Sequence, residues 1–97
     1  MRIAEVIGTV TLSRCHQSFD GATLKLAVPL SLENLAGQEV PKADPFVVWD
    51  EFGSAPGSLI AVSEGAEAAQ PFRPESKPVD AYNAALLDNI SLTITAL

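Results

Sequence analysis

From Ile3 to Ser13 the chain alternates with a period of two. Ala4, Val6, Gly8, Val10 and Leu12 fall on one face, and Glu5, Thr9, Thr11 and Ser13 on the other. Successive side chains of a strand point to opposite faces, so this pattern predicts a long, half-buried strand. Ile7 interrupts the polar face, which implies that a neighbour covers part of it. Ser18-Phe19-Asp20-Gly21 reads as a turn, with Gly21 free to take positive φ. A second strand is expected from Ala22 to Leu30, with Leu24, Leu26, Val28 and Leu30 pointing one way and Thr23, Lys25 and Ala27 the other. Pro29 has no N–H to give a ladder and belongs at a strand end or an edge. Residues 33–45, punctuated by Gly37, Pro41 and Pro45, read as a loop.

Phe46-Val47-Val48-Trp49 and Leu59-Ile60-Ala61-Val62 are apolar on both faces. Strands of this kind are covered on both sides. In a single-layer barrel the outer cover must come from elsewhere, and a second subunit is the simple candidate. At 97 residues the chain has room for one domain, spanning 1–97, whose surface is large for its volume. Even so, its hydrophobic fraction is 47% against 19% charged, and its mean hydropathy is +0.22. Two explanations fit: an alanine-rich monomer, or apolar surface that something outside the chain covers.

Between the two strands lies a loop of small residues, Asp50 to Ser58. Gly65, Pro71, Pro74 and Pro78 mark 64–78 as an irregular excursion. Pro78 is placed to open a helix, since a first-turn proline forfeits no hydrogen bond. Val79, Tyr82 and Leu86 then share a face at helical spacing, predicting a short helix that Asn89 ends. Ile90, Leu92 and Ile94 alternate with Ser91, Thr93 and Thr95, which predicts a last strand at an edge. The fold class expected is all-β: an OB-like Greek-key small β-barrel with one short helix near the C-terminus.

The same residues offer little chemistry. Twelve acidic against six basic residues give a net charge of -6, which disfavours nucleic acid and anionic membranes as partners. Cys15 and His16 are adjacent, and adjacent side chains on a strand diverge. A nucleophile needs its base within hydrogen-bond reach, so the pair reads as a packed thiol beside a surface imidazole. A lone cysteine forms no internal disulfide and suits a reducing compartment. Glu5 interrupts any leader-like apolar core, and no apolar run reaches spanning length. The expected location is therefore cytoplasmic. Asp50, Glu51, Glu64 and Glu67 match no spacing suited to a hard cation. The Gly53–Gly57 loop lacks the lysine and the following helix of a phosphate-binding loop. No catalytic residue, metal or cofactor is expected.

Three separated segments together resemble a known family. The first is Ile3-Ala4-Glu5-Val6-Ile7-Gly8-Thr9-Val10. The second is Val48 to Gly65, with Asp50, Phe52, Gly53, Ile60-Ala61-Val62-Ser63 and Gly65. The third is Pro78-Val79-Asp80-Ala81, continuing to Leu86-Leu87-Asp88 and Ile90. These are similar to the vertex proteins of bacterial microcompartment shells, the family of carboxysome and ethanolamine-utilisation pentamers. The motif positions are Ile3, Ala4, Val6, Gly8, Val10, Asp50, Gly53, Gly65, Pro78, Val79, Asp80, Ala81 and Asp88. The chain departs from the family at Ala55, Ser58, Tyr82 and Asn83, and it has no arginine between Glu64 and Ala69.

The resemblance implies a homo-pentamer, a truncated pyramid that fills the five-fold vertices of a shell otherwise tiled by hexameric and trimeric proteins. A flat hexagonal sheet cannot close, and five-fold units supply the curvature. Six copies are physically possible with a small change of interface angle. The resemblance also places Gly53, Ser54, Ala55, Pro56 and Gly57 near the axis or in subunit packing, against the alternative of an ordinary surface hairpin loop. A monomeric OB-like module binding a small ligand or oligosaccharide is the competing reading, and an enzyme using Cys15 or His16 is a third.

Overall fold

A computed structural model describes residues 1–75 and 77–93. Five strands, β1 (Arg2–Val10), β2 (Leu24–Pro29), β3 (Phe46–Trp49), β4 (Leu59–Glu64) and β5 (Ala81–Leu87), close into a barrel in the order β1-β2-β3-β5-β4. All neighbours are antiparallel except β3 and β5, which run parallel and meet at a single ladder pair, Trp49 with Tyr82. β1 stops at Val10, opposite Leu24, because β2 offers no partner beyond that point. A one-turn helix, α1 (Leu32–Leu35), interrupts the expected 33–45 loop. Ser31 and Asn34 cap it reciprocally, each side chain accepting the other's backbone N–H.

The expected helix near the C-terminus is corrected: residues 81–87 form β5, and Pro78, Val79 and Asp80 lead into it. Ala81 and Asn83 are buried while Tyr82 is half-buried, a period of two. The alternation is broken at Ala84, which the ladder to β4 skips between the Val62–Asn83 and Ala61–Ala85 pairs. That irregularity, with the alanine and leucine content, imitates a helical pattern. Residues 90–93 belong to no strand, and the Ile94 and Thr95 end of the expected last strand lies outside the described residues. Among the described residues the helical turns lie elsewhere, in α1 and in two 3-10 segments, Gln17–Phe19 and Gly65–Phe72. The longer of these occupies the excursion expected at 64–78.

Two clusters hold the fold. Inside the barrel are Ala4, Val6, Ala27, Val48, Ile60, Val62 and Ala81, all small or medium-sized. Their uniform modest size suits a narrow five-stranded lumen. Val48 and Trp49 are neighbours on β3, so Trp49 points to the outer face, where its pair partner Leu24 lies. There Leu24, Trp49, Ala68 and Val79 form a second cluster, against which Val10, Phe19, Ala22, Phe72 and Tyr82 pack. The leucine face of β2 is thus its outer face, and Ala27 is the residue it sends inside. Part of the outer cover expected from a second subunit comes from the chain itself, through the two 3-10 segments. Val47 remains 44% exposed and Ile7, left over at a register shift between Val6 and Gly8, 46%.

Candidate functional site

The loop joining β3 to β4 opens on two carboxylates. Asp50 follows the buried end of β3 and is itself 1% exposed. Its Oδ1 accepts the Asn83 side-chain N–H at 2.8 Å and the Phe52 amide at 3.2 Å, and its Oδ2 accepts the Ser54 amide at 2.9 Å. Burial alone would push the Asp50 carboxyl up. The hydrogen bonds from Asn83 and from the Phe52 and Ser54 amides outweigh it and hold the carboxyl below its usual range, with the nearby Ser54 hydroxyl adding to the same effect. Ser54 Oγ and Asn83 Oδ1 are buried beside this carboxylate without a well-aligned partner of their own.

Glu51 turns outward, and the Tyr82 hydroxyl donates to its Oε1 at 2.6 Å. That bond, then partial burial, then the negative charges of Glu51 and Asp50, push the Tyr82 phenol up to about 12. Gly53 and Gly57 take φ of +69° and +94°, a region that side-chain-bearing residues rarely enter. A Cβ on either would meet nothing within 4 Å, so conformation rather than crowding within the chain requires glycine there. The turn closes through Ala55 and Ser58: the Ser58 amide donates to Ala55 O at 2.9 Å, and the Ala55 amide to Ser58 Oγ at 3.1 Å. The return limb then joins β1, with Gly57 N–H to Val6 O at 2.8 Å and Val6 N–H to Ser58 O at 2.9 Å. The loop carries Phe52, Ala55 and Pro56 on its exposed side, and exposed Ile7 follows the Val6 to which it is bonded.

The other motif positions fall into separate roles. Ala4 and Val6 fill the barrel, Ile3 is half-buried, and Gly8 and Val10 follow the register shift on β1. Gly65 opens the longer 3-10 segment, and its N–H donates to Asp80 O at 2.9 Å, so the second and third sequence segments meet there. Val79 packs in the outer cluster and Ala81 in the barrel, whereas Asp88 is exposed just past β5. Cys15 is exposed, not packed as expected, and the His16 ring engages Ser18. Its Nδ1 accepts the Ser18 amide at 3.1 Å and caps the first 3-10 turn. Glu64 pairs with Arg2 at 2.5 Å, and among the described residues no three His, Cys, Asp or Glu side chains gather as metal ligands do. Sequence reasoning alone does not bring Tyr82 and Asn83 into the site. A lone asparagine within the otherwise apolar run Ala81–Leu87 was the signal for it.

A closed barrel of five strands in the order β1-β2-β3-β5-β4 is an OB-type barrel. The sequence model of the family described as ethanolamine utilisation protein EutN/carboxysome matches residues 1–88, and the chain belongs to that family. It is 33% identical over 92 residues to the carboxysome shell vertex protein CcmL of Gloeobacter violaceus, covering 95% of this chain and 87% of the relative. The solved structure of Gloeobacter violaceus CcmL superimposes with a TM-score of 0.82 at 30% identity, covering 95% of this chain and 90% of that one. The pentameric microcompartment shell protein GrpN from Rhodospirillum rubrum gives 0.79 at 28% identity, covering 96% of this chain and all 100% of its own.

Proposed function

We propose that this chain is a structural subunit of a bacterial microcompartment shell in the cytoplasm, assembling as a homo-pentamer that caps the five-fold vertices and closes the shell. The observation that carries this reading is the agreement of fold and sequence with Gloeobacter violaceus CcmL over 95% of the chain. The pentameric GrpN supports the ring size. A ring of identical subunits joins two different patches of each copy head to tail, and hexameric and trimeric shell proteins are the partners around it. The loop Gly53, Ser54, Ala55, Pro56 and Gly57, with exposed Phe52 and Ile7 beside it, is our candidate for the axial or subunit-packing surface. Apolar side chains left in water there gain from a second copy.

The role is architectural, with no reaction assigned. Cys15 is exposed and His16 engages Ser18 instead. Phe19, Trp49, Phe72 and Tyr82 are spent on packing with one another, Trp49 being only 5% exposed and Phe72 set against it at 4.9 Å, so among the described residues no row of open aromatic faces is left for a sugar. The deciding experiment is the mass of the purified assembly, by native mass spectrometry and light scattering at low and high concentration. A pentamer of the 10.2 kDa chain is the expected result. A hexamer would keep the family and remove the vertex role in solution, and a monomer at all concentrations would overturn self-assembly.

A further inference from the structure

A loop with two glycines at positive φ and open space around both has much conformational freedom to lose. Whatever fixes its pose must come from the groups bonded to it. Tyr82 and Asn83 are consecutive on β5, so their side chains leave on opposite faces. Asn83, fully buried, reaches Asp50 from within the barrel at 2.8 Å, and Tyr82 reaches Glu51 from outside at 2.6 Å. The two residues that open the loop are therefore gripped by two consecutive residues of one strand, from both sides of the barrel wall. The outer grip is itself braced: the Tyr82 ring stands edge-on to Phe72 at 5.5 Å, and Phe72 to Trp49 at 4.9 Å.

We propose that Tyr82 and Asn83 are positioning residues, a two-sided clamp that sets the pose of residues 51–57 and with it the geometry of contact between copies. The second half of this statement rests on the shell-subunit reading above. The clamp acts through Asp50, whose carboxylate passes the constraint from Asn83 to the Phe52 and Ser54 amides. Glu51 lies between Asp50 and Phe52 in the chain, so fixing its side chain removes the motion that would break those bonds.

The test uses the full chain and four variants: Tyr82→Phe, Glu51→Ala, the double variant, and Glu51→Gln, whose side-chain carbonyl can still accept. Tyr82→Phe removes only the hydroxyl and leaves the ring on Phe72, so the barrel stays folded. A fifth variant, Asn83→Ser, removes the inner grip and should speed exchange at the Phe52 and Ser54 amides at least as much as Tyr82→Phe; unchanged exchange there in the folded variant would overturn the inner half of the clamp. The first readout is hydrogen exchange at the Phe52 and Ser54 amides, and the second is the concentration at which the ring dissociates. Tyr82→Phe and Glu51→Ala should each speed exchange at both amides about five- to tenfold, as the loss of one hydrogen bond that solvent partly screens predicts. The double variant should add nothing further, and Glu51→Gln should restore most of the protection. The dissociation concentration should rise severalfold while exchange at Ile60 and Val62 stays unchanged. Unaltered Phe52 and Ser54 exchange in Tyr82→Phe would overturn the clamp. Faster exchange with an unchanged dissociation concentration would overturn its link to assembly. A wild-type chain that forms no ring would instead overturn the shell reading and that link together, with the exchange arm still deciding the clamp.

Discussion

Replacing Asp50 by alanine removes the acceptor for three hydrogen bonds at once. Their donors are unequally placed. Phe52 is 51% exposed, so its amide can turn to water, but Asn83 and Ser54 are 0% and 3% exposed and their N–H groups cannot. A buried donor left without a partner costs about 1–3 kcal/mol, so the two together cost about 2–6 kcal/mol. A domain of this size holds only about 5–15 kcal/mol in total. Asp50→Asn keeps the shape and one acceptor oxygen but sets an amide donor against a donor, for about 1–3 kcal/mol. Urea unfolding followed by the fluorescence of Trp49, the only tryptophan, measures both variants at a fixed chain concentration, because association adds to apparent stability. With a slope of about 1–3 kcal/mol/M, Asp50→Ala should lower the midpoint by about 2 M at unchanged slope. The folded pKa of Asp50 is depressed, so its ionic contribution is present above the unfolded carboxyl value of about 4 and is lost as pH falls through the folded value. The gap between wild type and Asp50→Asn should therefore narrow in acid. A midpoint loss under about 0.5 M for Asp50→Ala, or a gap independent of pH, would refute the assignment of Asp50 as the loop's anchor.

Two further outcomes follow from the same region. Tyr82 is the only tyrosine, so alkaline absorbance titration should read its phenol directly, with a midpoint near about 12 that falls toward the free value of about 10 in Glu51→Ala. Its folded pKa is raised, so the stability it confers is full below about pH 10 and is lost as pH climbs through the folded value. Gly57→Ala should cost about 1–2 kcal/mol in thermal unfolding, because its φ of +94° is strained for a side-chain-bearing residue although the added methyl meets no neighbour.

The alternation in β1 and the two-sided apolar runs of β3 and β4 were legible because each pattern is local and directly expresses burial. β5 was not, because its period of two is broken at Ala84 and its residues, alanine and leucine above all, are good helix formers. Its strand state comes from β4, some 20 positions earlier in the chain. The outer aromatic layer escaped for a related reason. The apolar outer faces of β2 and β3 announced that something covers them, but not that Phe19 and Phe72 do. In the site, Gly53 and Gly57 mark a special loop in the sequence as one allowing close approach of backbone, whereas within the chain they serve positive φ with open space around both. The grip on it joins residues 31 and 33 positions apart, a separation at which no local pattern carries information.

The barrel's closure has its own weak place and its own repair. β3 and β5 share one ladder step, Trp49 with Tyr82, where every other neighbouring pair shares at least four. Phe72 lies against both members of that step, at 4.9 and 5.5 Å, and so acts as a rivet across the seam. The excursion thereby adds an aromatic link to the Asp50–Asn83 and Glu51–Tyr82 hydrogen bonds that also cross the seam. Trimming 65–72 is expected to loosen that seam, making β3 and β5 the edges of an open sheet, with the anchors of the loop on opposite lips of the gap.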